Sequence, residues 1–322
     1  MKNLFKAIIA IFSALIVAVV VFFVWASSAN YSSDDYVQLI EYNYSNEDDS
    51  DSIFSVITYN IGYLSGMTNN LPVPKPKSLF NNNLKRVYRE FENLEADIIC
   101  LQEVDFHSKR SYYINQQEEL HKLGYNFAFQ AANWDKKYLP FPYFPVSLQF
   151  GEVYSGQSIL SKYQLIDIER IVLERGTSNP FYRDAFYLDR LAQVAKVLVS
   201  GDTIVLINVH LEAFDAANRT KQTRTIANLY NNYKDDFPVL LVGDFNSDES
   251  RREASIKILL AIPGLKSAGH ELGNTFSSQN PVARLDYIFY NEEFIEMRNA
   301  EILTSIGEAS DHLPVLMEFK LK

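Results

Sequence analysis

The ten residues Val239-Leu240-Leu241-Val242-Gly243-Asp244-Phe245-Asn246-Ser247-Asp248 decide how the chain is read. Pro238 opens an apolar run that reads as a buried strand, and Gly243 punctuates its end. Beyond the glycine come a carboxylate and a carboxamide, two positions apart. Side chains alternate along extended backbone. If extension continues through Phe245, Asp244 and Asn246 project into one cleft and Phe245 turns to the core. A base and an amide so placed can hold a water between them. A strand followed by a polar turn accounts for the stretch equally well until the rest of the chain is considered.

The chain has 322 residues, 47% of them hydrophobic, enough for one large domain or two ordinary ones and too apolar for a disordered protein. A net charge of −10 argues against avid non-specific nucleic-acid binding, which needs lysine and arginine to neutralise phosphates. It leaves room for a groove with a locally positive floor. Cys100 is the only cysteine and lies in an apolar run, so no internal disulfide forms and a buried, inert thiol is expected.

Residues 1–6 form a basic flank carrying Lys2 and Lys6, and residues 7–26 are apolar except for Ser13. A helix of that length covers roughly 30 Å, the thickness of a bilayer core. Ala26-Ser27-Ser28-Ala29 offers small residues to a signal peptidase, so cleavage and secretion are the rival outcome. The run is longer than the usual signal core of about 7–15 residues, which favours an uncleaved anchor. Lysines on one flank and Asp34, Asp35 and Glu41 on the other set the N-terminus in the cytoplasm and the remainder outside. Residues 27–52, rich in Ser, Asn, Asp and Tyr, read as a disordered polar stalk. The folded domain is expected over residues 53–322.

Within it, strands are expected at 53–59, 97–101, 125–130, 158–160, 165–171, 191–199, 203–209, 239–242, 285–290 and 315–321. Helices are expected at 79–94, 111–123, 216–233 and 251–262. Residues 131–150 form a loop dense in aromatics, among them Trp134, Tyr138, Phe141, Tyr143 and Phe144. It reads either as a satellite core folded back on the domain or as a surface lying on a membrane interface. Strands mixed with helices in antiparallel-compatible order predict a one-domain α+β sandwich rather than a doubly wound sheet.

Asn60, Glu103, His210, Asp244, Asn246, Asp286, Asp311 and His312 fall at strand ends, beside strands or in adjoining loops. Each alone reads as a cap or turn residue. Together they supply hard oxygen ligands, two imidazoles and paired carboxylates, the inventory for metal-assisted hydrolysis of a phosphate ester.

Their wording also follows one family. Thr58-Tyr59-Asn60, Leu101-Gln102-Glu103, Ser155-Gly156-Gln157-Ser158-Ile159-Leu160-Ser161, Asn208-Val209-His210-Leu211, Gly243-Asp244-Phe245-Asn246, Arg284-Leu285-Asp286-Tyr287 and Ser310-Asp311-His312-Leu313-Pro314-Val315 occur in order. From about residue 53 onward the chain resembles the endonuclease/exonuclease/phosphatase superfamily, which includes deoxyribonucleases, abasic-site endonucleases, sphingomyelinases and inositol-polyphosphate phosphatases. The resemblance implies a four-layer αββα sandwich of two packed mixed or antiparallel sheets. It also implies a divalent cation, Mg2+ or alternatively Mn2+, at the rim between them.

By the same resemblance, Asn60, Glu103 and Asp311 are the metal-side groups. Asp244 and Asn246 position and activate the attacking water, and Asp286 orients His312 and favours its protonated form. His210 matches a histidine that contacts phosphate or assists the leaving group. Tyr154 matches the phosphate-contacting tyrosine of the abasic-site branch. Arg190 stands where relatives often carry an arginine, as a substrate contact or a structural ion pair. Gly62 replaces an acidic ligand found in some nucleases, which argues against a second metal. Ser247-Asp248 replaces the tyrosine-arginine pair of the inositol-phosphatase branch.

The expected activity is a phosphodiesterase, endonuclease-like first, with a lipid phosphodiesterase or phosphatase as the alternative. A catalytically inactive binding protein is the remaining class. The expected partners are a nucleic-acid or phospholipid phosphate ester and, through residues 7–26, a membrane, with no obligate protein partner.

Overall fold

The computed structural model describes residues 2–44, 52–177, 179–269 and 271–322. The chain opens with helix α1 (Lys2–Ser27), strands β1 (Val37–Glu41) and β2 (Phe54–Asn60), helix α2 (Lys77–Leu94), β3 (Ile98–Asp105) and the short α3 (Gln116–Leu120). Next come β4 (Phe127–Leu139), β5 (Gly151–Ser161), β6 (Gln164–Val172), α4 (Phe181–Asp184), β7 (Leu191–Val199) and β8 (Asp202–His210). Helix α5 (Ala216–Asn231), β9 (Val239–Asp244), α6 (Lys257–Leu260), β10 (Leu265–Ser267), β11 (Asp286–Asn291), β12 (Ile295–Ile302) and β13 (Val315–Leu321) complete it.

The strands form two sheets, ordered β1-β4-β5-β3-β2-β13-β12 and β10-β11-β9-β8-β7-β6. β2 pairs with β3 and β8 with β9 in parallel, and the remaining pairs are antiparallel. Between the sheets lies a core to which Val56, Ile98, Cys100 and Ile159 contribute from one side, and Leu206, Leu240, Val242 and Ile288 from the other. On the outer face of the first sheet, Ile57, Tyr59, Ile99 and Leu101 meet Phe80, Val87 and Phe91 of α2. On the outer face of the second, Val205, Ile207, Leu241 and Phe289 meet Ile226 and Tyr230 of α5. Helix, sheet, sheet, helix is the expected αββα sandwich, and Cys100 is buried and unpaired as expected.

Several boundaries move, each for a local reason. The helix expected over 111–123 breaks up, because Tyr112 and Tyr113 adopt positive φ and Asn115 then caps the new helix α3 by accepting from Glu118 N. The helix expected over 251–262 shrinks to α6. β4 runs on to Leu139 through two register shifts, so half of the expected aromatic loop is strand.

The polar stretch after α1 is not a free stalk. β1 pairs antiparallel with β4, from Val37 opposite Ala131 to Glu41 opposite Phe127. Just before it, buried Asp135 accepts from Asn30 N (2.9 Å), Tyr31 N (2.9 Å) and Tyr36 OH (3.1 Å). Pairing and this carboxylate clamp outweigh the ordering cost that composition suggested. Most of the acidic run 46–52 lies outside the described residues.

Candidate active site

Strand parity explains how distant residues reach one place. In β9, Val239 and Leu241 face α5 while Leu240 and Val242 face the other sheet, so Asp244 emerges on the inter-sheet side at the rim. The same alternation carries His210 beyond Ile204 and Leu206, Asp286 before Ile288, and Asn60 beyond Phe54 and Val56. Register aligns them as well: His210 pairs with Asp244, and Asp244 with Asp286, making one row across three strands. Gly243 is required at this close approach. It sits at φ +138°, and a Cβ there would lie 2.0 Å from Val209 O.

Glu103 has the wrong parity. β3 continues past it to Asp105, but its register with β5 slips between Leu101 and Val104, and Glu103 takes φ +53°. The bulge turns the carboxylate into the site, where Oε1 lies 3.9 Å from His210 Nε2.

Asp244 and Asn246 converge through a turn rather than continued extension. Asn246 adopts φ +50°, and its N–H donates to Asp244 Oδ1 at 2.8 Å. Its Nδ2 donates to Asp244 Oδ2 (3.2 Å) and Leu211 O (3.0 Å). Asn60 Nδ2 reaches across from the other sheet to Asp244 Oδ2 at 3.0 Å. Phe245 between them is fully buried, as expected. Burial raises the Asp244 pKa to about 7, with His312 opposing and Asp286 adding to the rise.

His312 Nδ1 and Asp286 Oδ2 lie 2.9 Å apart, and His312 Nε2 is 3.9 Å from Asp244 Oδ2. Burial disfavours the imidazolium, but Asp286 and Asp244 outweigh it and hold the His312 pKa well above the usual histidine value.

His210 differs. Arg190 Nη1 lies 2.6 Å from its Nε2, and a guanidinium can only donate, so Nε2 accepts and the neutral ring carries its proton on Nδ1. Burial, then Arg190, push its pKa well below the usual value. In this arrangement His210 Nε2 is taken up as an acceptor, and the fixed cation beside it is Arg190. It is buried, and its Nε stands 3.7 Å from Glu212 Oε2, which also accepts from Tyr187 OH through Oε1 at 2.8 Å.

On the opposite flank, Asn69 Nδ2 donates to Glu103 Oε2 (2.9 Å) and reaches Asp311 Oδ1 (3.3 Å). Burial and the Asp311 charge raise the Glu103 pKa. Two carboxylates repelling each other around one amide make a hard-oxygen donor set suited to Mg2+ or Mn2+. Asn60 is turned otherwise, with Oδ1 accepting from Gly62 N (3.0 Å) and Nδ2 on Asp244, so here it holds the Asp244 carboxylate. At Gly62, φ +51°, a Cβ would lie 2.8 Å from Asp311 Oδ1, which leaves no space for an acidic side chain. Asp244, Asp286 and His312 also bring ligand-type atoms within 4.8 Å of one another. A protonated His312 bonded to Asp286 has no lone pair to give a cation, so Glu103 and Asp311 are the better seat.

Tyr154 does not join this group. It shares parity with Leu160 and packs on the outer face of the first sheet. Its hydroxyl donates to Asp35 O (2.9 Å) and accepts from Gln130 Nε2 (3.2 Å), and Tyr31 covers its ring at 4.2 Å. The substrate contact expected of it is not supported by this placement.

Behind the site, a buried polar ladder links the sheets. Gln102 Nε2 donates to Asn208 Oδ1 (2.7 Å), and Asn208 Nδ2 to Gln193 Oε1 (2.8 Å). Gln157 Nε2 donates to Asn208 O (3.1 Å). Such bonds fix the spacing of the two sheets, and hence of Asn60 and Asp244.

Residues 57–312 match the model of the endonuclease/exonuclease/phosphatase family. The chain belongs to this family. Relatives of the chain include YbhP of Escherichia coli K12, 27% identical over 71% of this chain and 85% of that protein. A UPF0294 protein of Vibrio cholerae is 32% identical over 124 residues, 38% of this chain. That match spans only 42% of the Vibrio protein's length. Among solved structures, an endonuclease/exonuclease/phosphatase from Beutenbergia cavernae superposes with a TM-score of 0.63 over 84% of this chain and 72% of its own, at 19% identity. Family members are typically phosphoester hydrolases, generally with divalent metals.

Proposed function

We propose that this endonuclease/exonuclease/phosphatase-family chain hydrolyses phosphoesters with a divalent cation, by in-line attack of water on phosphorus. The observation that carries the reading is Asp244: a buried carboxylate with three amide donors holding it, a raised pKa, and a protonated histidine facing it. Asp244 and Asn246 hold the water, and Asp244 takes its proton as the new P–O bond forms. His312 donates to an oxygen that gains charge, with Asp286 fixing the ring, and Arg190 presents its guanidinium beside His210. As the ester P–O bond breaks, the leaving oxygen is protonated from solvent. Glu103 and Asp311 would hold the cation, which when bound neutralises phosphoryl oxygen charge.

In this reading α1 stays attached as a single-pass anchor, with the N-terminus in the cytoplasm and the sandwich outside; its length and apolar composition permit a span. The decisive assay is hydrolysis of bis-p-nitrophenyl phosphate, restored by Mg2+ or Mn2+ after chelation, with plasmid DNA, sphingomyelin and phosphoinositides in parallel. Turnover lost in Asp244→Ala and His312→Ala supports the reading. Silence on every ester at several metals overturns the reading and favours a binding protein.

A further inference from the structure

The junction between α1 and the sandwich is short and fixed. Ser27 O accepts from Lys136 Nζ (3.0 Å) and Ser28 O from Lys137 N (2.9 Å), and the Asp135 clamp begins at Asn30. The C-terminal end of α1 also packs on the sandwich. Phe22 meets the Tyr138 ring at 5.8 Å, and Phe23 meets Phe181 at 6.0 Å and Phe186 at 5.5 Å. Phe23 lies about 6 Å below the helix end, at about 1.5 Å per residue. In a bilayer holding α1, Phe181 and Tyr138 therefore stand beside its C-terminal end, where headgroups meet acyl chains.

The surface around them suits that depth. Trp134, Leu139, Phe141, Phe150 and Phe186 pack together, so the inner part of the aromatic segment is a satellite core. Its tip is not: Phe144 is 82% exposed and Tyr143 65%. Phe181 (78%) and Tyr182 (52%) are exposed as well, and Phe214 (85%) lines a cleft of about 150 Å³. Arg183, Tyr187, Glu212 and Phe214 line that cleft, which reaches Arg190, the residue bonded to His210. Exposed aromatics at this density are rare on a surface that meets only water and are favoured at a membrane interface.

We propose that Tyr143, Phe144, Phe181, Tyr182 and Phe214 lie in the headgroup layer of the bilayer that holds α1. The cleft then opens onto that layer and takes the phosphate ester of a phospholipid headgroup as substrate. The docking rests on α1 being retained, and the substrate rests on the hydrolase reading above. A net charge of −10 favours a lipid in the plane of the membrane over a polyanion from solution.

The test uses the full chain in nanodiscs of phosphatidylcholine and phosphatidylglycerol. Nitroxides are placed singly by Phe144→Cys, Phe181→Cys and, as an aqueous control on α2, Glu92→Cys; Cys100 is buried and escapes the label. At 144 and 181, power-saturation EPR should show access to oxygen and at least tenfold less access than at 92 to a water-soluble nickel chelate. Equal nickel access at all three positions overturns the docking, as does recovery of mature soluble protein starting near Asn30. The Phe144→Ser/Phe181→Ser variant should keep its rate on bis-p-nitrophenyl phosphate within about twofold and lose tenfold or more on nanodisc phospholipid. Cleavage of plasmid DNA with phospholipid untouched overturns the substrate. Silence on every ester defeats the hydrolase reading and the substrate together, while the label depths still decide the docking.

Discussion

His312 and Asp286 share a 2.9 Å hydrogen bond at the wall of the site, with the ring nitrogen Nδ1 on the carboxylate Oδ2. The aspartate fixes the ring, stabilises the imidazolium and leaves Nε2 to face Asp244. Asp286→Asn should lower kcat by about 10²–10⁴ with the fold intact. It should also move the alkaline limb of the pH–rate profile downward, because the histidine loses the charge that raised its pKa. A wild-type alkaline limb in the Asp286→Asn enzyme would show that His312 does not titrate in this step.

The raised pKa of Asp244, about 7, gives the acidic limb. Activity should climb as pH rises through about 7, since the base acts as the carboxylate; bound cation shifts the climb to lower pH. The stability effect has the opposite direction. A folded pKa above the unfolded value means the native state holds the proton more tightly. That contribution is full below the unfolded aspartate value of about 4 and is lost as pH rises to about 7. Asp244→Asn should therefore flatten the Tm against pH curve between pH 4 and 8. An unchanged curve would exclude this carboxylate as its source.

Glu103 and Asp311 repel each other around the Asn69 amide, a repulsion that a cation held between them would relieve. Adding Mg2+ to chelated protein should raise Tm, by about 2.7 kcal/mol of stability at a hundredfold excess over Kd. In Glu103→Gln the metal-free protein should be more stable than wild type and the response to Mg2+ should be lost. Calorimetry with and without chelator measures both. A full Mg2+ response in Glu103→Gln would place the cation elsewhere.

What the sequence revealed follows the rule of alternation. Asn60, His210, Asp244 and Asp286 share one parity on strands whose apolar runs are plain, so their convergence was legible. Glu103 reached the site only through a bulge at positive φ, which no residue pattern announces. Asn69 lay in an unremarkable loop, with partners 34 and 242 residues away. β1 was hidden in polar composition because its stability comes from pairing with β4, and β12 because it is a charged edge strand. The bond between Arg190 and His210 depends on how β7 enters the sheet, a matter of tertiary geometry.

Tyr154 offers the clearest contrast between motif and placement. Its hydroxyl is engaged by Asp35 O and Gln130 under the segment that follows α1. Tyr154→Phe should keep kcat/KM on bis-p-nitrophenyl phosphate within about twofold and cost about 1 kcal/mol of stability for the lost bonds. A drop beyond tenfold at unchanged Tm would return the residue to the site.

Burial and Arg190 together set the state of His210. The guanidinium takes Nε2 as an acceptor and, together with burial, keeps the ring neutral. In the wild-type protein the His210 ring resonances should stay those of a neutral imidazole to a pH well below the ordinary histidine value. In Arg190→Ala the pKa should rise, because the repelling charge is gone while burial still holds it under the ordinary value. Turnover should fall by about 10²–10³, the scale for losing one charged stabiliser of a developing oxyanion. Arg190→Lys keeps the charge without the planar fork and should recover only part of it. A wild-type His210 titrating near 6.5 would mean that the ring is not bound as an acceptor, and that the histidine rather than the arginine faces the charged oxygen.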